Sequence, residues 1–163
     1  MELHISTLQS PVGPLRLVAS PQGLVAVLWP EDREGRVRFA SEPLPGHDAN
    51  PHLRQAAAEL REYFAGRRRS FGVALDPHGT EFQKSVWRAL ATIPFGETRS
   101  YAEIARQIKK PTASRAVGAA NGRNPLSIIV PCHRVIGSNG ALTGFAGGIS
   151  AKEYLLRLEG REP

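Results

Sequence analysis

Three segments in the second half of this chain have the form S/T-x-x-E/Q: Thr80-Glu81-Phe82-Gln83, Ser100-Tyr101-Ala102-Glu103 and Ser150-Ala151-Lys152-Glu153. In that pattern the hydroxyl accepts from a backbone donor of the first helical turn. The acid or amide reaches back to the capping residue, so a helix starts there. Each segment runs into apolar residues at helical spacing: Phe82, Val86 and Leu90, then Ile104, Ala105 and Ile108, then Tyr154, Leu155 and Leu158. A fourth short helix is expected over about 113–121, because Pro111-Thr112 precedes it and Asn124-Pro125 follows. Two of these helices, about 100–108 and 113–121, are joined by Lys109-Lys110-Pro111-Thr112, which is helix-turn-helix spacing.

The first half reads differently. Leu15-Arg16-Leu17-Val18 and Leu24-Val25-Ala26-Val27-Leu28-Trp29 flank Ser20-Pro21-Gln22-Gly23, a strand–turn–strand pattern. Residues 30–50 carry scattered charges, prolines and glycines and read as a loop. Asn50-Pro51 then starts a helix, with Leu53, Ala56, Ala57, Leu60, Tyr63 and Phe64 on one face and Gly66 ending it. Phe71-Gly72-Val73-Ala74-Leu75 is a candidate strand, and Asp76-Pro77-His78-Gly79 marks a domain boundary. The expected architecture is α/β: an N-terminal sheet-plus-helix domain over 1–78, then a mostly helical domain with a helix-turn-helix over 79–163.

A chain of 163 residues, 41% apolar and 22% charged, is long enough and apolar enough to fold as one ordinary domain or two small ones. No apolar run reaches the ~18 residues that a membrane span needs. The opening Met1-Glu2-Leu3-His4 lacks the basic and then apolar segment of a signal peptide, so a cytoplasmic location is expected. The net charge of +6 favours a polyanionic partner such as nucleic acid, without saying where the charge lies. A single cysteine excludes an internal disulfide, and the five histidines, His4, His47, His52, His78 and His133, are scattered, so no metal is expected.

Within the second helix of the pair, Val117, Ala113 and Ala120 are expected to face the core. Ser114, Arg115, Gly118 and Asn121 would share the other side. Small residues let a helix approach a partner closely, and Arg115 is the one long side chain among them. The same composition also suits a tight internal helix crossing. Shortly after this helix, the apolar run Leu126-Ser127-Ile128-Ile129-Val130-Pro131 delivers Cys132 beside His133 and Arg134. A lone cysteine is usually an inert buried hydrophobe, but cationic neighbours would stabilise a thiolate. Adjacent residues on an extended chain point to opposite faces. His133 therefore needs a sharp turn or an intervening water to reach Cys132, and a third group to orient it. Glu159 is the candidate, although its position also suits a solvated helix end.

Pro131-Cys132-His133-Arg134-Val135 resembles the active-site motif of the O6-alkylguanine-DNA alkyltransferases. The likeness runs in order through Phe82-Gln83-x-x-Val86-Trp87, Ile93-Pro94-Phe95-Gly96-Glu97-Thr98, Ser100-Tyr101 and Ser114-Arg115-Ala116-Val117-Gly118. It continues through Asn121-Gly122-x-Asn124-Pro125, Gly144-Phe145-Ala146-Gly147-Gly148 and Lys152-Glu153-Tyr154-Leu155-Leu156 to Glu159-Gly160, covering about residues 80–160. The first eighty residues match loosely. The resemblance implies a ribonuclease H-like first domain, a winged-helix-like second domain and no cofactor. It implies single-use repair of double-stranded DNA containing O6-alkylguanine, and also O4-alkylthymine, by a monomer.

Site residues follow from the same likeness. Cys132 matches the alkyl acceptor, and His133 and Glu159 match the pair that activates it through a water. Asn124 matches the brace of the active-site turn. Tyr101 matches the tyrosine that helps rotate the nucleotide, and Arg115 the finger that fills the vacated stack. Ser114, Ala116 and Gly118 lie on the helix that docks in the minor groove. Val135, Phe145 and Ala146 line the base pocket. Position 145 is phenylalanine where many relatives carry tyrosine. Relatives without the cysteine bind lesions and do not repair them, and this chain keeps Cys132. Two other classes stay open on the residues alone: a DNA-binding module with a structural cysteine, and a cysteine hydrolase.

Overall fold

The computed structural model describes residues 2–46 and 48–160. Met1, His47 and residues 161–163 lie outside the described residues, and with them one of the five histidines and part of the N-terminal reading. The chain divides between His78 and Gly79 into two compact units. Among the described residues no helix is long and apolar enough to cross a membrane.

In the first unit, β1 (His4–Leu8), β2 (Leu15–Ala19), β3 (Leu24–Leu28) and β4 (Leu44–Pro45) form a sheet in the order β3-β2-β1-β4. β1, β2 and β3 pair antiparallel, and β4 joins β1 in parallel. Every residue of β3 is buried. Helix α1 (Pro51–Phe64) starts where Asn50 accepts from the amides of His52 and Leu53, with proline at the first helical position. It lays Leu53, Ala56, Ala57, Leu60 and Tyr63 on the sheet.

Two expectations for this unit need correction. Residues 30–50 are not simply loop: β4 lies within them, and Arg36 is buried against Asp32 at 2.6 Å. Residues 71–75 do not form a strand, making only an isolated bridge between Leu24 and Leu75. The reason is competition for donors. Glu59, buried on α1, accepts from the amides of Gly72 and Val73 at 3.0 and 3.1 Å, so those groups are not free for a ladder. Gly23 is needed at the turn, because a Cβ there would sit 2.7 Å from the Ala74 carbonyl oxygen.

The second unit comprises α2 (Glu81–Leu90), β5 (Arg99–Ser100), α3 (Tyr101–Gln107), α4 (Ser114–Gly122), a 3-10 turn (Cys132–Arg134), β6 (Val135–Ile136) and α5 (Ile149–Leu158). The capping boxes at Thr80/Gln83 and Ser100/Glu103 are both formed. The third is not. Helix α5 starts at Ile149 after Gly148, whose φ of 91° brings the chain into the helix earlier, and Ser150 lies inside the first turn. Helices α3 and α4 pack as the helix-turn-helix pair, and α2 packs against both.

Strands β5 and β6 pair in parallel, Arg99 with Val135 and Ser100 with Ile136. One follows the cysteine-bearing turn directly and the other leads directly into α3. This short ladder therefore fixes the cysteine-bearing turn to the entry of the helix-turn-helix.

Candidate active site

Two residues after α4 the chain enters a run buried from Asn124 to Val135. Asn124 closes its first part into a tight loop. Its Oδ1 accepts from the Leu126 amide at 3.0 Å and its Nδ2 donates to the Val130 carbonyl at 2.8 Å. The Val130 amide also donates to the Leu126 carbonyl at 2.9 Å. Ile128, inside this loop, has φ of 76°, a conformation that a β-branched residue rarely adopts. The surrounding bonds hold it there, three residues before Pro131 and four before Cys132.

Cys132 opens the 3-10 turn and is buried; its amide donates to the Val130 carbonyl, and its own carbonyl accepts from the Val135 amide. The turn brings the buried side chains of His133 and Arg134 together on Glu159, the residue after α5. His133 Nε2 lies 2.8 Å from Glu159 Oε2. Arg134 donates from Nε and Nη2 to the two Glu159 oxygens at 2.8 and 3.0 Å, and from Nη1 to the Ile93 carbonyl at 2.6 Å. Its guanidinium also lies over the Phe95 ring.

This geometry assigns the imidazole. A carboxylate gripped by two guanidinium donors is ionised and can only accept, so His133 Nε2 carries the ring hydrogen and Nδ1 presents a lone pair. Burial pushes the His133 pKa below its ordinary value, opposed by Glu159 and helped by the charges of Arg134 and Lys152. The ring is thus neutral at neutral pH. Nδ1 is buried with no hydrogen-bond partner among the described residues.

Two sequence readings change here. Glu159 is not a solvated helix end; it is buried and saturated with donors. Arg134 does not serve the cysteine as a free cation, since its charge is engaged by Glu159. Lys152, on α5, is a buried cation coupled electrostatically to Cys132. Its Nζ donates to the Val135 carbonyl at 2.6 Å. Burial pulls its pKa from 10.5 to about 8, with the negative charge of Cys132 resisting the fall.

Tyr101 is the first residue of α3 and is half-buried, with its hydroxyl hydrogen-bonded to Thr143. Gly118 of α4 faces the ring: a Cβ there would lie 3.8 Å from it. On α4, Arg115 and Ala116 are exposed, while Ser114 and Gly118 are half-buried. Asn121 departs from the expected outward side. It is buried, because the chain folds back at once, with the Asn124 amide donating to the Asn121 carbonyl. Val135 is fully buried; Phe145 and Ala146 are half-buried in the segment leading into α5. Among the described residues, no group of three or more His, Cys, Asp or Glu side chains is placed to hold a metal.

A family model described as 6-O-methylguanine DNA methyltransferase, DNA binding domain, matches residues 81–161, and the ribonuclease-like domain of the same family matches residues 3–77. The chain belongs to the 6-O-methylguanine DNA methyltransferase family. A Methanosarcina acetivorans relative named methylated-DNA–protein-cysteine methyltransferase is 51% identical, over 97% of this chain and 99% of its own length. One of the same name from Mycobacterium bovis is 50% identical over 96% of this chain and 92% of its own. The crystal structure of Mycobacterium tuberculosis OGT in complex with DNA superposes with a TM-score of 0.87 at 48% identity, covering 98% of this chain and 95% of that one.

For a 6-O-methylguanine DNA methyltransferase, the contacts made by four side chains of this unit escaped the sequence reading. Trp87 Nε1 donates to the Ala120 carbonyl at 2.9 Å and ties α2 to α4. Thr143 holds the Tyr101 hydroxyl, Arg134 holds Glu159, and Lys152 reaches Val135. Arg134 was visible beside Cys132, and Lys152 also left a trace in the sequence. It lies three residues before Leu155, on the face that the helical spacing buries, where a lysine is out of place without a partner.

Proposed function

We propose that this protein repairs DNA by direct reversal, moving the alkyl group of O6-alkylguanine, and of O4-alkylthymine, onto Cys132. The unit that begins at Gly79 does both the binding and the transfer. The carrying observation is the neutral, buried His133, locked by Glu159 with its Nδ1 lone pair unpartnered, one residue after the lone cysteine. Full-length likeness to proteins named for this chemistry supports the same reading.

In the proposed reaction, α3 and α4 dock in the minor groove and the damaged nucleotide is flipped out, at a cost of a few kcal/mol. The exposed Arg115 fills the vacated stack, and Ser114, Ala116 and Gly118 let α4 approach the backbone. The flipped base lies against Val135, Phe145 and Ala146. The Cys132 thiol gives its proton, through a water, to His133 Nδ1. Sγ then attacks the alkyl carbon from behind; the S–C bond forms as the C–O6 bond breaks. The electron pair leaves on guanine, which Tyr101 stabilises by donation and which finally carries the proton lost by the thiol. Asn124 braces the loop that presents Cys132. The product is a thioether, which is no leaving group, and the chain has no second thiol, so each molecule acts once. A reducing compartment, the cytoplasm, keeps the thiol available.

The test is intact mass after incubation with a duplex containing O6-methylguanine. One methyl should replace one proton and the reaction should then stop, while Cys132→Ala binds DNA without gaining mass. Continued turnover on excess DNA would refute the single-use step, and binding without mass gain would make the protein a sensor.

A further inference from the structure

We propose that Lys152 is the counter-ion of the Cys132 thiolate, a second activating group beside the His133–Glu159 pair. The inference rests on the reading of Cys132 as the alkyl acceptor. It starts from a lysine that has no exposed surface, on a helix packed against the cysteine-bearing turn. A buried ammonium costs several kcal/mol unless a negative charge compensates it. The Val135 carbonyl at 2.6 Å is a dipole and supplies only part of that compensation.

The carboxylate of this region is engaged elsewhere: Glu159 accepts from Arg134 twice, from His133 and from the Gly96 amide. The acid within α5, Glu153, is only half-buried. Helix α2, also packed on the turn, buries Val86, Trp87, Ala89 and Leu90; its Glu81 and Arg88 are exposed and Lys84 half-buried. One peptide unit links the two partners. The Val135 amide donates to the Cys132 carbonyl, and the Val135 carbonyl accepts from Lys152.

The charges of the site then pair off, Arg134 with Glu159 and Lys152 with Cys132. Burial makes His133 a reluctant cation. Proton transfer from Cys132 to His133 would be uphill if the imidazolium were the thiolate's sole support. A cation already in place lowers the cost of the thiolate, so the imidazole takes the proton without being the thiolate's sole support. The coupling runs both ways: the Cys132 charge opposes the fall in the Lys152 pKa.

The experiment titrates Cys132 in the full chain, by thiolate ultraviolet absorbance and by the rate of iodoacetamide alkylation against pH. Wild type, Lys152→Met and Lys152→Arg are compared, and transfer from an O6-methylguanine duplex is measured in parallel. Lys152→Met should raise the thiolate midpoint by about 1 pH unit or more, and slow transfer about tenfold at neutral pH with convergence at alkaline pH. Lys152→Arg should stay near wild type. An unmoved midpoint in Lys152→Met, or equal displacement in both variants, overturns the proposal.

Should Lys152→Met not fold, the reciprocal measurement decides. The Lys152 titration, followed by carbon NMR at Cε, should move below about 8 in Cys132→Ser, and an unchanged titration overturns the proposal. If wild type gains no methyl from DNA while the midpoint still depends on Lys152, the alkyl-transfer reading fails and the counter-ion stands.

Discussion

Glu159→Gln isolates what the buried carboxylate does. Arg134 has donors only, so the new amide must turn its oxygen to Arg134 and its NH2 towards His133 Nε2. Nε2 must then become the acceptor, and the ring hydrogen moves to Nδ1, the atom that should take the thiol proton. The shape is unchanged but the tautomer is wrong. Loss of a general base is worth about 100- to 10,000-fold in rate. The Arg134 charge, left uncompensated, favours the thiolate and works against the slowing, so the lower end, about 100-fold, is expected at neutral pH. Removing one partner of a buried ion pair costs about 3–5 kcal/mol; the amide oxygen still serves Arg134, so about 3 kcal/mol of stability should be lost. The assay is single-turnover methyl transfer against pH, paired with urea unfolding. The rate deficit should shrink at alkaline pH, where a free thiol ionises unaided near ~8.5. Equal slowing at every pH would show that Glu159 supports the fold and not the proton path. An unchanged rate with stability lost would refute the tautomer argument.

Three further outcomes are expected. Arg115→Ala should lose more repair on paired duplex than on a single strand, because a side chain that fills the stack matters only where there is one; an identical fold-loss on both would leave Arg115 as a phosphate contact. Asn124→Ala removes two buried hydrogen bonds that close the Leu126–Val130 loop. It should lower stability by about 2 kcal/mol and slow transfer further than that loss explains. A matched loss of stability with unchanged transfer would remove its role as a brace. The folded state also holds His133 below its ordinary pKa. As pH falls below about 6.5 the unfolded chain binds a proton that the folded chain refuses, so stability should fall. His133→Gln should lack that part of the slope in urea unfolding at mildly acidic pH, and identical slopes would refute it.

The sequence by itself determined the elements whose physics is local. Asn50-Pro51, Thr80/Gln83 and Ser100/Glu103 set three helix starts, because each cap is satisfied within a few residues. The ordered motifs around Cys132 identified the family, since their spacing is a property of the chain. One failure was local: Ser150/Glu153 has a capping pattern, yet Gly148, two residues earlier, starts that helix first. The other failures depended on partners distant in sequence. Residues 71–75 have strand composition, yet Glu59 takes two of their amides. The site divides in the same way. Cys132, His133 and Glu159 could be named from the sequence, but the tautomer of His133 depends on a carboxylate 26 residues away. That carboxylate is held by Arg134, which the linear sequence offers to the cysteine. Lys152 lies 20 positions beyond Cys132 in the numbering. Only the packing of α5 on the turn buries its charge there, and burial is what makes a charge seek a particular partner.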